Sequence, residues 1–284
     1  MTAKGPAASP VTAAFGRVRA EGRAALVGYL PAGYPTVDGS VRALEAMVEA
    51  GVDIVEVGLP YSDPLMDGPT IQQAVESALR SGTTTRDVLR TVEQVASSGT
   101  AVLVMSYWNP IERYGPARFA RDLASVGGAG VITPDLIPDE ADTWLPAARE
   151  HQLDSVFLVA PSSTEERIAL TVEACRGFVY AASTMGVTGT RAAVGTAAAT
   201  LVARTRRVTD LPVAVGLGVS SGDQAAEVAA FADGVIVGSA FVRLLLDAAD
   251  EPSGGKAVAN LAAELADGVR RPGNRAGREL EEPS

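Results

Sequence analysis

Short apolar runs rich in β-branched residues alternate along this chain with longer stretches in which apolar side chains recur at helical spacing. The short runs fall at residues 25–30 (ALVGYL), 54–57, 101–105, 131–132, 155–159, 178–181, 212–215 and 234–237. Between them, Val41, Leu44, Met47 and Val48 mark a helix over 37–50, which Gly51 stops. Further helices are expected from Pro69 to position 80 and over 85–96, 116–125, 140–150, 165–174 and 196–206, with WNPIERYG (108–115) as a loop. Pro10 opens a helix to about position 23, with Val11, Phe15 and Val18 on one face. After strands seven and eight, the turns GLGVSS and GSA each lead into a helical run. EPSGGK (251–256) reads as a linker-like turn before an amphipathic final helix at 257–269. Residues 1–9 and 271–284 are expected to be disordered.

Eight short strands of the buried kind, each answered by a helix, imply a parallel sheet. The fold class is therefore α/β, a single (β/α)8 TIM barrel over residues 10–270 with an extra N-terminal helix. A doubly wound open sheet is the alternative, but it does not ordinarily need eight evenly spaced units.

Composition narrows the function. The 284 residues carry a net charge of −10 and no basic stripe with interleaved aromatics, which argues against nucleic acid or an anionic membrane as partner. One His and one Cys exclude a disulfide framework and a His/Cys metal cluster, so no metal site is expected. No run approaches the length of a membrane span, and residues 1–15 lack the apolar core of a secretory signal. A cytoplasmic protein is the expectation.

Chemistry concentrates in residues 53–70, DIVEVGLPYSDPLMDGPT. Glu56 interrupts an apolar strand, where a carboxylate is costly unless it has a partner or a task. In a barrel the strand C-termini carry the active site, and phosphate often binds after strands seven and eight. Gly216 and Gly218, Gly238 with Ser239, and Gly186 with Gly189 supply three glycine clusters there, able to bring backbone N–H groups to an anion. Singly each is a turn glycine; together they favour a phosphate site. Facing such a site, Glu56 becomes an acid/base candidate, and Asp67 a second carboxylate in a different environment.

Asp53 reads as a solvated residue at the start of its strand, and Asp63 as capping a turn or reacting. Asp135 either orients a loop or caps a turn. Tyr180 is either a barrel-interior aromatic or a hydroxyl aimed at substrate. His151 reads as a surface residue ending a helix, Cys175 as packing and Trp144 as a partly buried helix residue.

Residues 56–72, EVGLPYSDPLMDGPTIQ, resemble the tryptophan synthase alpha subunit family, whose pattern is a strand Glu followed by G-x-P-[FY]-S-D-P-x-x-D-G-P-T-I-Q. VMSYWNPIERYG (104–115), PDLIPDE (134–140), FVYAASTMGVTGTR (178–191), LPVAVGLGVSS (211–221) and DGVIVGSAFV (233–242) match in order, so the resemblance covers about residues 12–270. The first block is highly specific, whereas DGVIVGSA alone fits many phosphate-binding barrels.

The resemblance implies retro-aldol cleavage of indole-3-glycerol phosphate to indole and glyceraldehyde 3-phosphate, with Glu56 as general acid/base and Asp67 holding the indole N–H. It implies substrate contacts from Tyr180 and from Thr188 on a closing loop. Tyr29, Val104 and Ile132 would line the indole pocket, and Gly189, Gly218, Gly238 and Ser239 the phosphate cradle. Pro60, Asp63 and Asp135 would face a beta subunit in an α2β2 heterotetramer. No cofactor is implied on this chain, pyridoxal phosphate belonging to the beta subunit. Departures occur in the loop after strand one (YLPAGYP), at Ala129 and at Thr184-Met185. A stand-alone indole-releasing or other phosphate-sugar lyase is the alternative function, and a non-catalytic module that activates a partner is a third; the intact Glu56/Asp67 pair argues against the last.

Overall fold

A computed structural model describes residues 8–182 and 191–271, with backbone alone at 191–194. Gly186, Thr188 and Gly189, and residues 1–7 and 272–284 of the stretches expected to be disordered (1–9 and 271–284), lie outside the described residues, whereas Ser9 is ordered as the cap of the first helix.

The strands are β1 (Ala25–Pro31), β2 (Ile54–Gly58), β3 (Ala101–Met105), β4 (Gly130–Ile132), β5 (Asp154–Val156), β6 (Leu158–Val159), β7 (Val179–Ala182), β8 (Val213–Gly216) and β9 (Gly234–Val237). All pairings are parallel, in the order β5-β4-β3-β2-β1-β9-β8-β7-β6. The two end strands belong to one extended segment interrupted at Phe157. Val156 accepts a bond from Thr133 on one side, and the Phe157 carbonyl accepts one from Tyr180 on the other. The expected fifth strand thus contributes both edges, and the sheet rolls into the eight-unit barrel.

Around it lie α1 (Pro10–Ala20), α2 (Val37–Glu49), α3 (Pro69–Arg80), α4 (Thr85–Ala96), α5 (Trp108–Tyr114), α6 (Pro116–Ser125), α7 (Trp144–Glu150), α8 (Glu165–Ala174), α9 (Arg191–Arg206), α10 (Gly222–Ala229), α11 (Ser239–Asp247) and α12 (Glu251–Val269). Three expectations are corrected. WNPIERYG is not a loop: it forms α5, its N–H at Trp108 bonded to Asp135. The segment at 140–150 starts as a 3-10 turn, Pro138–Glu140, and becomes α-helical only at Trp144. EPSGGK is the first turns of α12, because Asp250 and Ser253 form a reciprocal cap and Gly254 packs against Ala248 and Leu245, where a larger residue would not fit.

Strand alternation divides the core. Val55, Val57, Val102, Val104 and Val131 point outward to the helices, whereas Val27, Ile54, Leu103, Ile132, Val156 and Ala214 point into the barrel. Val11, Ala14, Phe15 and Val18 of α1 join the inner group, with Phe15 and Phe178 ring centroids 5.5 Å apart. The extra helix therefore stoppers the N-terminal end of the barrel. Ser9 caps α1 and also donates to Asp154 at 2.5 Å.

That end is held by ions as well as by packing. Asp53, expected to be solvated, is buried: Arg23 donates to both its oxygens at 2.7 and 2.8 Å, and the Leu26 N–H to one of them at 2.9 Å. Asp233 does the same for the Val213 N–H, with Arg206 beside it. In each case an acid just before one strand satisfies an N–H at the start of its neighbour. Trp144, expected to be partly buried, is wholly buried, its indole N–H donating to Ser155 at 3.0 Å. Replacing Asp53 by Ala leaves the Leu26 N–H without its acceptor and Arg23 without its bidentate partner; urea denaturation should show a loss of about 3 kcal/mol.

Candidate active site

β2 is covered on both flanks by β1 and β3, and its residues alternate between the outer helices and the barrel interior. Ile54, Glu56 and Gly58 share the inner face. Glu56 is fully buried, and neither carboxyl oxygen has a hydrogen-bond partner among the described residues. Burial pushes its carboxyl up to about 8, so at neutral pH it holds a proton. It faces a cavity of about 730 Å³ at the C-terminal end of the strands.

The cavity's other walls come from distant parts of the chain. Tyr29 is level with Glu56 on the adjacent strand, and Tyr180 stands on β7. Each phenol leans over a glycine of a neighbouring strand. A Cβ at Gly58 would sit 2.4 Å from the Tyr29 hydroxyl, and one at Gly216 2.6 Å from the Tyr180 hydroxyl. Glycine is required at both positions by this close approach. Burial, and then the nearby carboxylates, raise both phenols above their ordinary range: Asp67 and Glu56 act on Tyr29, and Glu56 on Tyr180. Both act as neutral hydroxyls.

Asp67 lies on the strap between β2 and α3. Tyr107, buried at the start of α5, accepts the Met66 N–H at 2.9 Å and hydrogen-bonds the Asp67 carboxylate. Gln72 donates to the Asp67 carbonyl at 2.7 Å. Burial raises the Asp67 carboxyl, and the Tyr107 hydrogen bond opposes that rise. Sequence reasoning missed Tyr107; the signal was a tyrosine immediately beyond a strand C-terminus, inside the VMSYWNPIERYG block.

Gly216 ends β8, and Gly218 follows two residues on with φ +64°. Gly238 precedes α11, whose first turn has no side-chain cap, so its N–H groups are open to an anion. Gly218, Gly238 and Ser239 all line the cavity. The cavity thus has an acid end and an anion end.

Other residues stand elsewhere. Val104 points to the outer core, and Met105 takes the wall position; the one-residue difference reverses the face. Ile132 belongs to the inner core and is not part of the cavity wall. Pro60 is buried in a separate recess with Leu59, Thr83 and Pro110. Asp63 is exposed and accepts from Ser62 at 2.5 Å. Asp135 accepts the Trp108 N–H at 2.9 Å, tying the segment after β4 to the first turn of α5. His151 ends α7, and Cys175 packs in the outer core.

The chain is similar in sequence and fold to known proteins. The family model described as tryptophan synthase alpha chain matches residues 15–270. The tryptophan synthase alpha chain of Acidothermus cellulolyticus is 61% identical over 258 residues, covering 91% of this chain and 96% of the relative. That of Mycobacterium intracellulare is 59% identical, covering 95% and 98%. Among solved structures, a tryptophan synthase of Mycobacterium tuberculosis is 58% identical with a TM-score of 0.87, covering 93% of this chain and 100% of that one. The tryptophan synthase subunit alpha of Legionella pneumophila, at 30% identity, still reaches a TM-score of 0.85, covering 93% and 99%.

The unpartnered carboxyl has a pH signature. Between 4.5 and about 8 the unfolded chain ionises Glu56 while the folded chain keeps it neutral, so this group makes stability fall as pH rises through that window and level off above it. Unfolding free energies of the wild type and Glu56→Gln, measured across this range, should diverge in favour of the variant. The divergence should approach about 1.4 kcal/mol per pH unit in mid-window. A constant difference would mean that the carboxyl ionises at its ordinary pH.

Proposed function

This chain belongs to the tryptophan synthase alpha chain family, and on that premise we propose that Glu56 and Asp67 divide between them the proton and charge chemistry of its reaction. The protein is a carbon–carbon lyase of tryptophan biosynthesis. It cleaves indole-3-glycerol phosphate to indole and glyceraldehyde 3-phosphate, and the indole passes to a beta subunit that condenses it with serine.

The observation that carries the assignment is the neutral, unpartnered carboxyl of Glu56 on the cavity wall. The bond to be broken joins indole C3 to the glycerol chain, and its electrons need somewhere to go. Glu56 delivers its proton to C3, which turns the ring into an indoleninium with positive charge at nitrogen. Asp67, held by Tyr107, accepts the ring N–H and stabilises that charge. The carbon–carbon bond then breaks, its electron pair restoring the indole ring. The adjacent hydroxyl becomes the aldehyde of glyceraldehyde 3-phosphate, its proton passing to the Glu56 carboxylate, and the acid is regenerated.

The open first turn of α11, with Gly218, Gly238 and Ser239, holds the phosphate at the far end. Thr188 and Gly189 of the loop before α9 complete the closure and the cradle in this reading. Tyr29 and Tyr180 flank the reacting ring, and Met105 takes the wall position on β3. No step needs a metal or an organic cofactor on this chain; pyridoxal phosphate belongs to the beta subunit. Pro60, Asp63 and Asp135 contribute to the face that meets that subunit in an α2β2 assembly. The cytoplasm is the compartment assigned, supported by the lone buried Cys175 and by the absence, among the described residues, of a helix long and apolar enough to cross a membrane.

Glu56→Gln should abolish indole release while leaving the affinity for a phosphate-bearing substrate analogue nearly unchanged. Asp67→Asn should be nearly as damaging, by roughly the hundredfold or more typical of a lost charge stabiliser. An indole-release assay run with and without a beta subunit checks both; wild-type turnover in the Glu56 variant would remove it from the mechanism.

A further inference from the structure

The two functional ends of the cavity stand on separate elements. Asp67 ends the strap that runs into α3, and the anion end is the first turn of α11. The strap has few ties. Leu65 is 80% exposed, and the polar contacts holding the strap from Leu65 to Asp67 are those of Tyr107 and Gln72. A third tie reaches it from the other side of the cavity. Arg243 stands one helical turn beyond Ser239 on α11, and its Nη2 donates to the Thr70 hydroxyl at 2.6 Å. Thr70 lies in the first turn of α3, three residues after Asp67, and lines the cavity.

The geometry points to Arg243 as a positioning residue for the lyase reaction, acting through Thr70 to fix the Asp67 strap to the phosphate helix. This role rests on the assignment of Asp67 and α11 made above. An arginine suits it because the guanidinium spans from one helix to the hydroxyl of another. Arg243 sits on the turn after Ser239 instead of at the helix N-terminus, so its contact is with the wall of the cavity. Phosphate held at Ser239 and carboxylate held at Asp67 then belong to one braced unit, and occupying one end resists displacement of the other.

The test compares Arg243→Met, Thr70→Val, the double variant and Arg243→Lys in the complex with a beta subunit. Arg243→Met should lower kcat for indole release about tenfold with KM little changed, as expected when a catalytic group is displaced by a fraction of its bond length. Thr70→Val should give a similar loss, the double variant no further loss, and Arg243→Lys a partial recovery. Hydrogen exchange of peptides covering 61–72 should quicken in both single variants at an unchanged thermal midpoint. Unchanged exchange together with additive kinetic effects would overturn the brace. So would a rise in KM at constant kcat, which would make Arg243 a phosphate-affinity group. The exchange readout needs no turnover, so it judges the brace even if the wild type were to release no indole, a result that would instead defeat the functional assignment.

Discussion

A carboxyl buried without a partner governs the design of this molecule. Among the described residues nothing hydrogen-bonds the Glu56 carboxyl, and burial is the cause of its raised pKa. A cation or a pair of N–H donors at this position would pull the proton off and leave a carboxylate unable to protonate carbon. The barrel must therefore keep its positive charge away from the inner face of β2. It does so by placing Arg23 and Arg206 at the opposite end, each engaged by an aspartate.

The two ends of the barrel have correspondingly different physics. At the N-terminal end, α1 closes the interior with Phe15 on Phe178, and buried acids satisfy strand N–H groups. At the C-terminal end, glycines replace side chains where Tyr29 and Tyr180 come close, and one carboxyl has no hydrogen bond among the described residues. The first end supplies stability that the second gives up. Strain of this kind is expected where a site is prepared for chemistry instead of for packing.

The chain displays much of this in one dimension. Eight apolar runs with helical partners disclose the barrel, because burial on both faces leaves strands no room for polar residues. Glu56 stands out for the same reason: it breaks the rule that reveals its strand. What could not be read depends on partners brought from elsewhere. Asp53 looks like an ordinary solvated acid until Arg23 folds over it. Val104 and Met105 are both plausible wall residues until register decides which one faces inward. EPSGGK reads as a linker because its two glycines disfavour helix locally, yet the cap at Asp250 and the close contact at Gly254 decide otherwise. Tyr107 became significant only when the strap from β2 came to rest on its hydroxyl.

Burial raises both carboxyls, but the two differ in what each can touch. Among the described residues Glu56 meets the barrel interior and two phenols, none of which hydrogen-bonds it. Asp67 is half-buried, receives the Tyr107 hydroxyl, and lies directly before Gly68, which begins α3 without a side-chain cap and so turns the positive end of that helix toward it. The second helix start at the cavity, that of α11, is likewise uncapped by a side chain, but it lies with the glycines Gly218 and Gly238 and no acid. One helix start thus favours a resident negative charge, and the other leaves room for one that arrives with substrate. The two carboxyls thus stand in different environments, which is the condition for dividing proton transfer and charge stabilisation in the proposed reaction.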